Sequence, residues 1–133
     1  MGWFDAFGKK EVATTGVFGV QCELHPYSLR AHENDFVDLE IDLQNESDVE
    51  EMTSVVVEVG KGLGLDRSAI SQQREIRLGF LKPRERKHMK VQVWATQRTE
   101  KGIYDVTVAA VAHFHDYAHV LNMARRRLSI RVE

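Results

Sequence analysis

From Val17 onward apolar and polar residues alternate one by one. That is the period of an extended strand, whose successive side chains point to opposite faces. Phe18, Val20, Cys22 and Leu24 alternate with Val17, Gly19, Gln21 and Glu23 before His25-Pro26-Tyr27-Ser28 turns the chain. The clearest strand is 36–44, with Val37, Leu39, Ile41 and Leu43 on one face and Asp38, Glu40, Asp42 and Gln44 on the other. It reads as a half-buried strand with an acidic outer face. Asn45-Glu46-Ser47-Asp48 is turn chemistry, since these short polar side chains bond their own backbone. A strand at 53–59 carries Val55, Val57 and Val59 on one face and breaks at Gly60-Lys61-Gly62-Leu63-Gly64. Residues 65–73 show no clean period, and Asp66 is placed to cap a short helical turn through Ser71. Ile76, Leu78 and Phe80 mark a strand closed by Lys82-Pro83-Arg84-Glu85, and Met89, Val91, Val93 and Ala95 mark another. The longest run follows Gly102. Tyr104, Val106, Val108, Ala110, Ala112 and Phe114 share one face, and Asp105, Thr107, Ala109, Val111, His113 and His115 the other. Asp116-Tyr117-Ala118 is expected to turn the chain. The last strand points Leu128, Ile130 and Val132 inward and Arg127, Ser129 and Arg131 outward. Seven or eight short strands with almost no helix predict an all-β fold of two packed antiparallel sheets, ahead of a barrel.

Composition narrows the class. The chain has 133 residues, 43% hydrophobic and 29% charged, an ordinary globular mix that excludes a collagen, a disordered tail and a polytopic membrane protein. Its size fits one domain, read as 13–133, behind a distinct segment at 1–12. A net charge of −2 argues against a dedicated nucleic-acid binder. One cysteine excludes an internal disulfide framework and fits a reducing compartment. The start shows no basic n-region and no long apolar stretch, so a cytoplasmic protein is expected.

Three segments carry a resemblance. They are Val37-Asp38-Leu39-Glu40-Ile41-Asp42-Leu43-Gln44-Asn45-Glu46-Ser47, then Leu78-Gly79-Phe80-Leu81-Lys82-Pro83-Arg84-Glu85, then Gly102-Ile103-Tyr104-Asp105-Val106-Thr107-Val108. Their order resembles the immunoglobulin-like accessory domains, the CARDB and fibronectin type III-like sandwiches, over roughly residues 17–133. The resemblance implies a two-sheet immunoglobulin-like sandwich and a binding role, and it names no ligand. It also implies that Tyr104 ties its strand to a corner through its hydroxyl. The chain lacks the cysteine pair and core tryptophan pattern of antibody domains.

Candidate chemistry is sparse. His113 and His115 stand two apart on one strand, which would put both imidazoles on one face, with His119 close behind. Such a set can ligate zinc, nickel or iron, whereas the plain alternative is a solvent-facing strand end. The glycines at 60, 62 and 64, with Lys61, match neither a P-loop nor a dinucleotide-binding turn, and read as a flexible connection. Cys22, in an apolar strand, reads as a small buried hydrophobe with a raised pKa. Ser28, Ser54, Ser68 and Ser71 lie in no nucleophile-elbow pattern. Arg84, Arg86, Lys87, His88 and Lys90, and Arg125, Arg126, Arg127 and Arg131, form basic clusters that offer weak RNA binding or, more simply, solvated faces.

Two aromatic features remain. Trp94 falls on the polar face of its strand, so it is either a docking patch or is covered by a loop or by the N-terminal segment. In that segment Trp3, Phe4 and Phe7 share one face if helical, followed by Lys9 and Lys10. So short a helix needs support. A membrane interface, a partner's groove, its own sandwich and a neighbouring subunit are the available supports. The expectation is a non-enzymatic binding or adaptor module with no cofactor. Its contacts are assigned to loops at 60–73 and 116–124 together with Trp3, Phe4, Phe7, Lys9, Lys10 and Trp94. A protein partner, a membrane surface and homo-oligomerisation are the docking options, and nucleic acid is not expected. A metal-binding protein using His113, His115 and His119 is the alternative, and RNA binding through Arg84–Lys90 and Arg125–Arg127 the second.

Overall fold

The computed structural model describes residues 17–133. Among these residues there are eight strands: β1 Phe18–His25, β2 Ser28–Leu29, β3 Asp35–Asn45, β4 Glu51–Val59, β5 Gln73–Leu81, β6 Arg86–Ala95, β7 Gly102–Phe114 and β8 Asp116–Val132. They form a three-stranded sheet in the order β1-β3-β6 and a five-stranded sheet in the order β2-β8-β7-β4-β5. The opening strand is divided at Pro26: β1 pairs antiparallel with β3, and β2 crosses to run parallel to the end of β8. No helix among the described residues is long and apolar enough to cross a membrane.

The core follows from the alternation. Val37, Leu39, Ile41 and Leu43 of β3 meet Val55 and Val57 of β4 and Val106, Val108 and Ala110 of β7, all buried. Their outward neighbours on β3 lie in register with bases and amides of β6: Asp38 with Gln92, Glu40 with Lys90, Asp42 with His88. Opposite charges across a strand pair stabilise each other, so the acidic face anticipated from sequence is a mixed-charge ladder.

Three elements depart from expectation. In β5 the register slips against β4 between Thr53 and Ser54, so that Thr53 faces Gly79 and Ser54 faces Arg77. The extra residue is a β-bulge, and Gly79 accommodates it with a positive φ of 74°. The slip reverses the alternation: Leu81 enters the core, and Phe80, expected inward with Ile76 and Leu78, is exposed. In β7 both faces are buried, because Ala109 and Val111 are small and lie in register between Val56 and Ser54 of β4 and the long Arg125 and Met123 of β8. Finally, 65–73 forms no helix. Asp66 instead holds a turn, its carboxylate accepting from Ile70 N at 3.0 Å and Ser68 Oγ at 3.2 Å.

The 60–64 segment is not a loose connection. Leu63 and Leu65 are buried, Gly60 N donates to the Asp105 carbonyl at 2.9 Å, and Thr99 Oγ1 donates to the Gly62 carbonyl at 2.7 Å. Gly62 has φ 106°, and a Cβ there would stand 2.9 Å from the Tyr104 ring. Tyr104 itself donates to the Glu100 carbonyl at 2.7 Å, the corner its position implied.

Candidate functional site

One end of the sandwich collects most of the unusual side chains. Four connections converge there: the chain entering at Val17, the β3–β4 turn, the β5–β6 turn and the β7–β8 hairpin. Asn45 ties them. Its side-chain amide donates to the carbonyls of Val49 and Leu81, both at 2.9 Å, and its Oδ1 accepts from Ser47 N and Oγ at 2.9 and 2.8 Å. Its backbone accepts from Arg84 N and donates to the Glu85 carbonyl, and beside it Glu46 N donates to the Val17 carbonyl.

Above this frame the hairpin folds over the outer face of the larger sheet. Tyr117 reaches across to β5, where its hydroxyl accepts from Gly79 N at 2.9 Å. The Arg77 guanidinium lies over its ring, 4.6 Å from the centroid, and the ring meets His113 edge-on at 4.9 Å. Beneath, Ser54 Oγ and His113 Nε2 share a hydrogen bond of 2.7 Å. Around this clasp stand exposed apolar side chains: Phe80 at 59%, Phe114 at 51%, Val120 at 49% and Leu121 at 53%. Isolated exposed hydrophobes are ordinary, but these four, with Val49 of the β3–β4 turn as a fifth, make an apolar group at one end of a small domain.

The Ser54–His113 pair is packing rather than a nucleophile. Ser54 is wholly buried, so no substrate carbonyl reaches its Oγ. A Ser–His hydrolase also needs the second imidazole nitrogen held by a carboxylate. Here His113 Nδ1 is buried with no hydrogen-bond partner among the described residues.

The three histidines proposed as a metal set are not brought together. The alternation that would align His113 with His115 ends in a bulge, where β7 loses register with β8 on either side of His113. His113 is therefore buried against Ser54, not at a solvent-facing strand end. His115 takes φ 68° at the turn and its ring meets that of Phe114 at a 52° tilt, with centroids 3.8 Å apart. His119 binds Asp116, Nδ1 to Oδ1 at 2.7 Å, and this bond is the main reason the Asp116 carboxyl is held below its usual range. Among the described residues no group of three or more His, Cys, Asp or Glu is arranged to hold a metal ion.

The basic clusters are likewise divided. Arg84 donates to the Glu46 carbonyl and pairs with Asp48, Lys87 pairs with Glu85, His88 lies between Glu40 and Asp42, and Lys90 faces Glu40 in register. Arg86 faces Gln44. The triplet Arg125, Arg126 and Arg127 splits by alternation: Arg125 and Arg127 belong to the outer face, while Arg126 turns back and donates to the Val20 carbonyl at 2.9 Å. Arg86 and Arg126 do line one depression, but together with Asp42 and Glu46, whose carboxylates offset them.

Trp94 is half-buried. Its ring packs on Phe36 at 4.7 Å, and its backbone exchanges hydrogen bonds with Gly64. A depression of about 470 Å³ beside it is lined by both signs of charge, Arg67, Arg74 and Lys90 with Asp38 and Asp66. The loop explanation therefore accounts for much of its cover. Cys22 is half-buried. Burial pushes its thiol up to about 11 against the opposing pull of Arg126, with Asp42 adding to the rise. Trp3, Phe4, Phe7, Lys9 and Lys10 lie outside the described residues. The loop assigned to 116–124 is part of β8, which begins at Asp116 and leaves a hairpin turn centred on His115.

Solved structures share this architecture. A stretch of native alpha-2-macroglobulin from Escherichia coli, from domain MG7 to the C-terminus, matches 89% of the chain at 17% identity with a TM-score of 0.59. The chain spans only 17% of that structure's length. The CARDB domain of a Pyrococcus furiosus protein, solved in complex with di-metal ions, matches with 87% of both chains covered, 15% identity and a TM-score of 0.57. AvmM, which catalyses macrocyclization in alchivemycin A biosynthesis, matches 88% of this chain and 89% of its own at 8% identity, with a TM-score of 0.56. No protein-family model matches the sequence, and no curated protein does. The chain is an immunoglobulin-like β-sandwich resembling CARDB domains. Its structural neighbours differ widely in what they do, so the site must argue the function.

Proposed function

We propose that this chain is a non-enzymatic binding module that docks a protein partner through the hairpin end of its sandwich. The observation that carries the reading is the exposure of Phe80, Phe114, Val120 and Leu121 around a clasped, well-bonded frame. Rigid apolar anchors bind at low entropic cost, because little has to be ordered on contact. Charge supports a protein partner over an anionic membrane. Glu46, Asp48, Glu50, Glu51 and Asp116 stand at this end with Arg77, Lys82 and Arg84, a mixed-charge rim that suits a protein partner more than a uniformly anionic surface.

The described chain enters at the same end, at Val17. In this reading Trp3, Phe4 and Phe7 add apolar contacts and Lys9 and Lys10 steer the encounter. The module works in the cytoplasm, as the single unpaired cysteine suggests.

The test compares three versions of the immobilised full chain in an extract of the source cell: unaltered, Phe80→Ser/Leu121→Ser, and Asp38→Asn on the opposite sheet. A protein retained by the first and third and lost by the second supports the proposal. Identical retention by all three sinks it. Flotation of the full chain, but not of a variant starting at Glu11, with phosphatidylserine vesicles would instead assign the N-terminal segment to a membrane.

A further inference from the structure

Among the described residues the two sheets end in β1, β6, β2 and β5, and the first three each carry some cover. On β1 the Arg126 guanidinium occupies the Val20 carbonyl. On β6 Gly64 bridges Trp94, accepting from its N–H at 2.8 Å and donating to its carbonyl at 3.0 Å. The third edge begins with β2, two residues long, which covers only Arg131 and Val132 of β8; further along β8 the Arg126 side chain crosses to β1. Short strands and capped carbonyls are the usual means of keeping a sheet edge from recruiting another chain.

The fourth edge, β5, is different. It is nine residues long, contains no proline, and pairs with β4 on one side only. Val59 N donates to the Gln72 carbonyl, which sets the phase of the ladder. Arg74 and Ile76 therefore turn their backbone groups toward β4, while Gln73, Glu75 and Arg77 turn theirs outward. The Ser71 hydroxyl takes the Gln73 carbonyl, and among the described residues no strand lies beside Glu75 and Arg77. The sheet that backs β5 has three strands to the larger sheet's five, and Ile76 and Leu78 are only half-buried.

We propose that β5 is a self-association edge: a second copy of this chain pairs with it antiparallel about a two-fold axis at Ile76, joining the two larger sheets into one. The charges select the register. Pairing Glu75 with its own copy sets two carboxylates face to face. Moving by one residue in each chain pairs Glu75 with Arg77 of the second copy, and the two-fold repeats the pair. Opposite charges across a strand stabilise and like charges destabilise, each by ~0.2–1 kcal/mol. Charges on an edge normally repel a second copy. Here Glu75 and Arg77 are opposite in sign and already pair within one chain at 3.3 Å, so the strand complements its own reverse and the two pairs merge into one four-charge cluster across the axis. The same register sets Ile76 against Ile76 on the core side and covers the half-buried flank. The bulge at Gly79 ends the paired stretch.

Light scattering and sedimentation of the full chain across micromolar to millimolar concentration test this. Association to about 30 kDa, twice the 15.2 kDa of the chain, is expected. E75R and R77E each oppose like charges and should weaken the dimer about tenfold or more. The double variant E75R/R77E reverses both signs and should restore it. E75P removes an N–H that faces outward and leaves the β4 ladder intact, so it should abolish association without unfolding, as read by circular dichroism. A chain that stays monomeric to millimolar concentration overturns the proposal. So does a dimer that survives E75P and both single reversals, or a double variant that fails to recover association.

Discussion

Replacing Asn45 by alanine tests the frame on which the candidate site rests. Asn45 is fully buried and all its side-chain bonds are made within 2.9 Å. The Leu81 carbonyl that it satisfies is buried, so its loss orphans a polar group, at about 1–3 kcal/mol. The other three bonds are partly exposed, and water replaces them at a net loss of ~0.5 kcal/mol each. Together these give about 3 kcal/mol, a large share of the ~5–15 kcal/mol that holds a domain folded. For a chain of this size that lowers the melting temperature by roughly 12 °C. Differential scanning calorimetry and urea unfolding read it directly. Asp48→Ala, three residues on and paired only at the surface with Arg84, should change stability by less than ~1 kcal/mol. Asn45→Asp is the sharper probe. It keeps the acceptor for Ser47 but aims a carboxylate at two carbonyl oxygens. It should be worse than alanine at neutral pH and recover as acid protonates it, because the folded state then binds a proton more readily than the unfolded one. An alanine variant losing under ~1 kcal/mol, or an aspartate variant as stable as alanine at every pH, would refute the network as described.

Other consequences can be measured separately. His113→Phe and Ser54→Ala should each cost ~1–2 kcal/mol, and the double variant less than their sum, since removing both partners leaves no orphan; additive losses in a double-mutant cycle would contradict the bond. Gly62→Ala should destabilise by ~1–3 kcal/mol, through its positive φ and its approach to Tyr104, with a smaller loss in the Tyr104→Phe background if the contact contributes. Cys22, with its thiol pushed up to about 11, should react with iodoacetamide at pH 8 at least about tenfold more slowly than a free thiol and at the free rate in denaturant. The Asp116 carboxyl is held low, chiefly by the bond from His119. Its contribution is therefore present above the unfolded pKa and is lost as pH falls through the folded one, and His119→Ala should flatten that acid limb of the stability curve.

What the sequence displayed depended on how far each contact reaches along the chain. β3 was plain because one face is core and the other water, and alternation records that directly. The Tyr104 corner was implied only by the resemblance to immunoglobulin-like domains, although its partner Glu100 is four residues away. The β5 bulge was not, although Gly79 within a strand pattern was the available signal. Missing it put Phe80 in the core and hid part of the exposed end. In β7, Ala109 and Val111 on the nominal outer face signalled a strand buried on both sides. Ser54 and His113 meet across 59 residues of separation, and neither carries a local motif. Asn45 was read as a turn residue, but its bond to Leu81 links two turns that only the folded sandwich brings together.

The bulge in β5 also makes the exposed end depend on a count. Strand residues have two orientations, and one added residue at Leu78–Gly79 decides which of them Phe80 and Leu81 adopt. Deleting Gly79 would not trim the surface locally. It would exchange inside for outside for the rest of the strand, withdrawing the aromatic ring from solvent and expelling a leucine from the core. The presence of Phe80 on the surface is thus a matter of parity more than of its own chemistry. Among related sequences, the length of this strand should tell more about whether the surface exists than the identity of the residue at its tip.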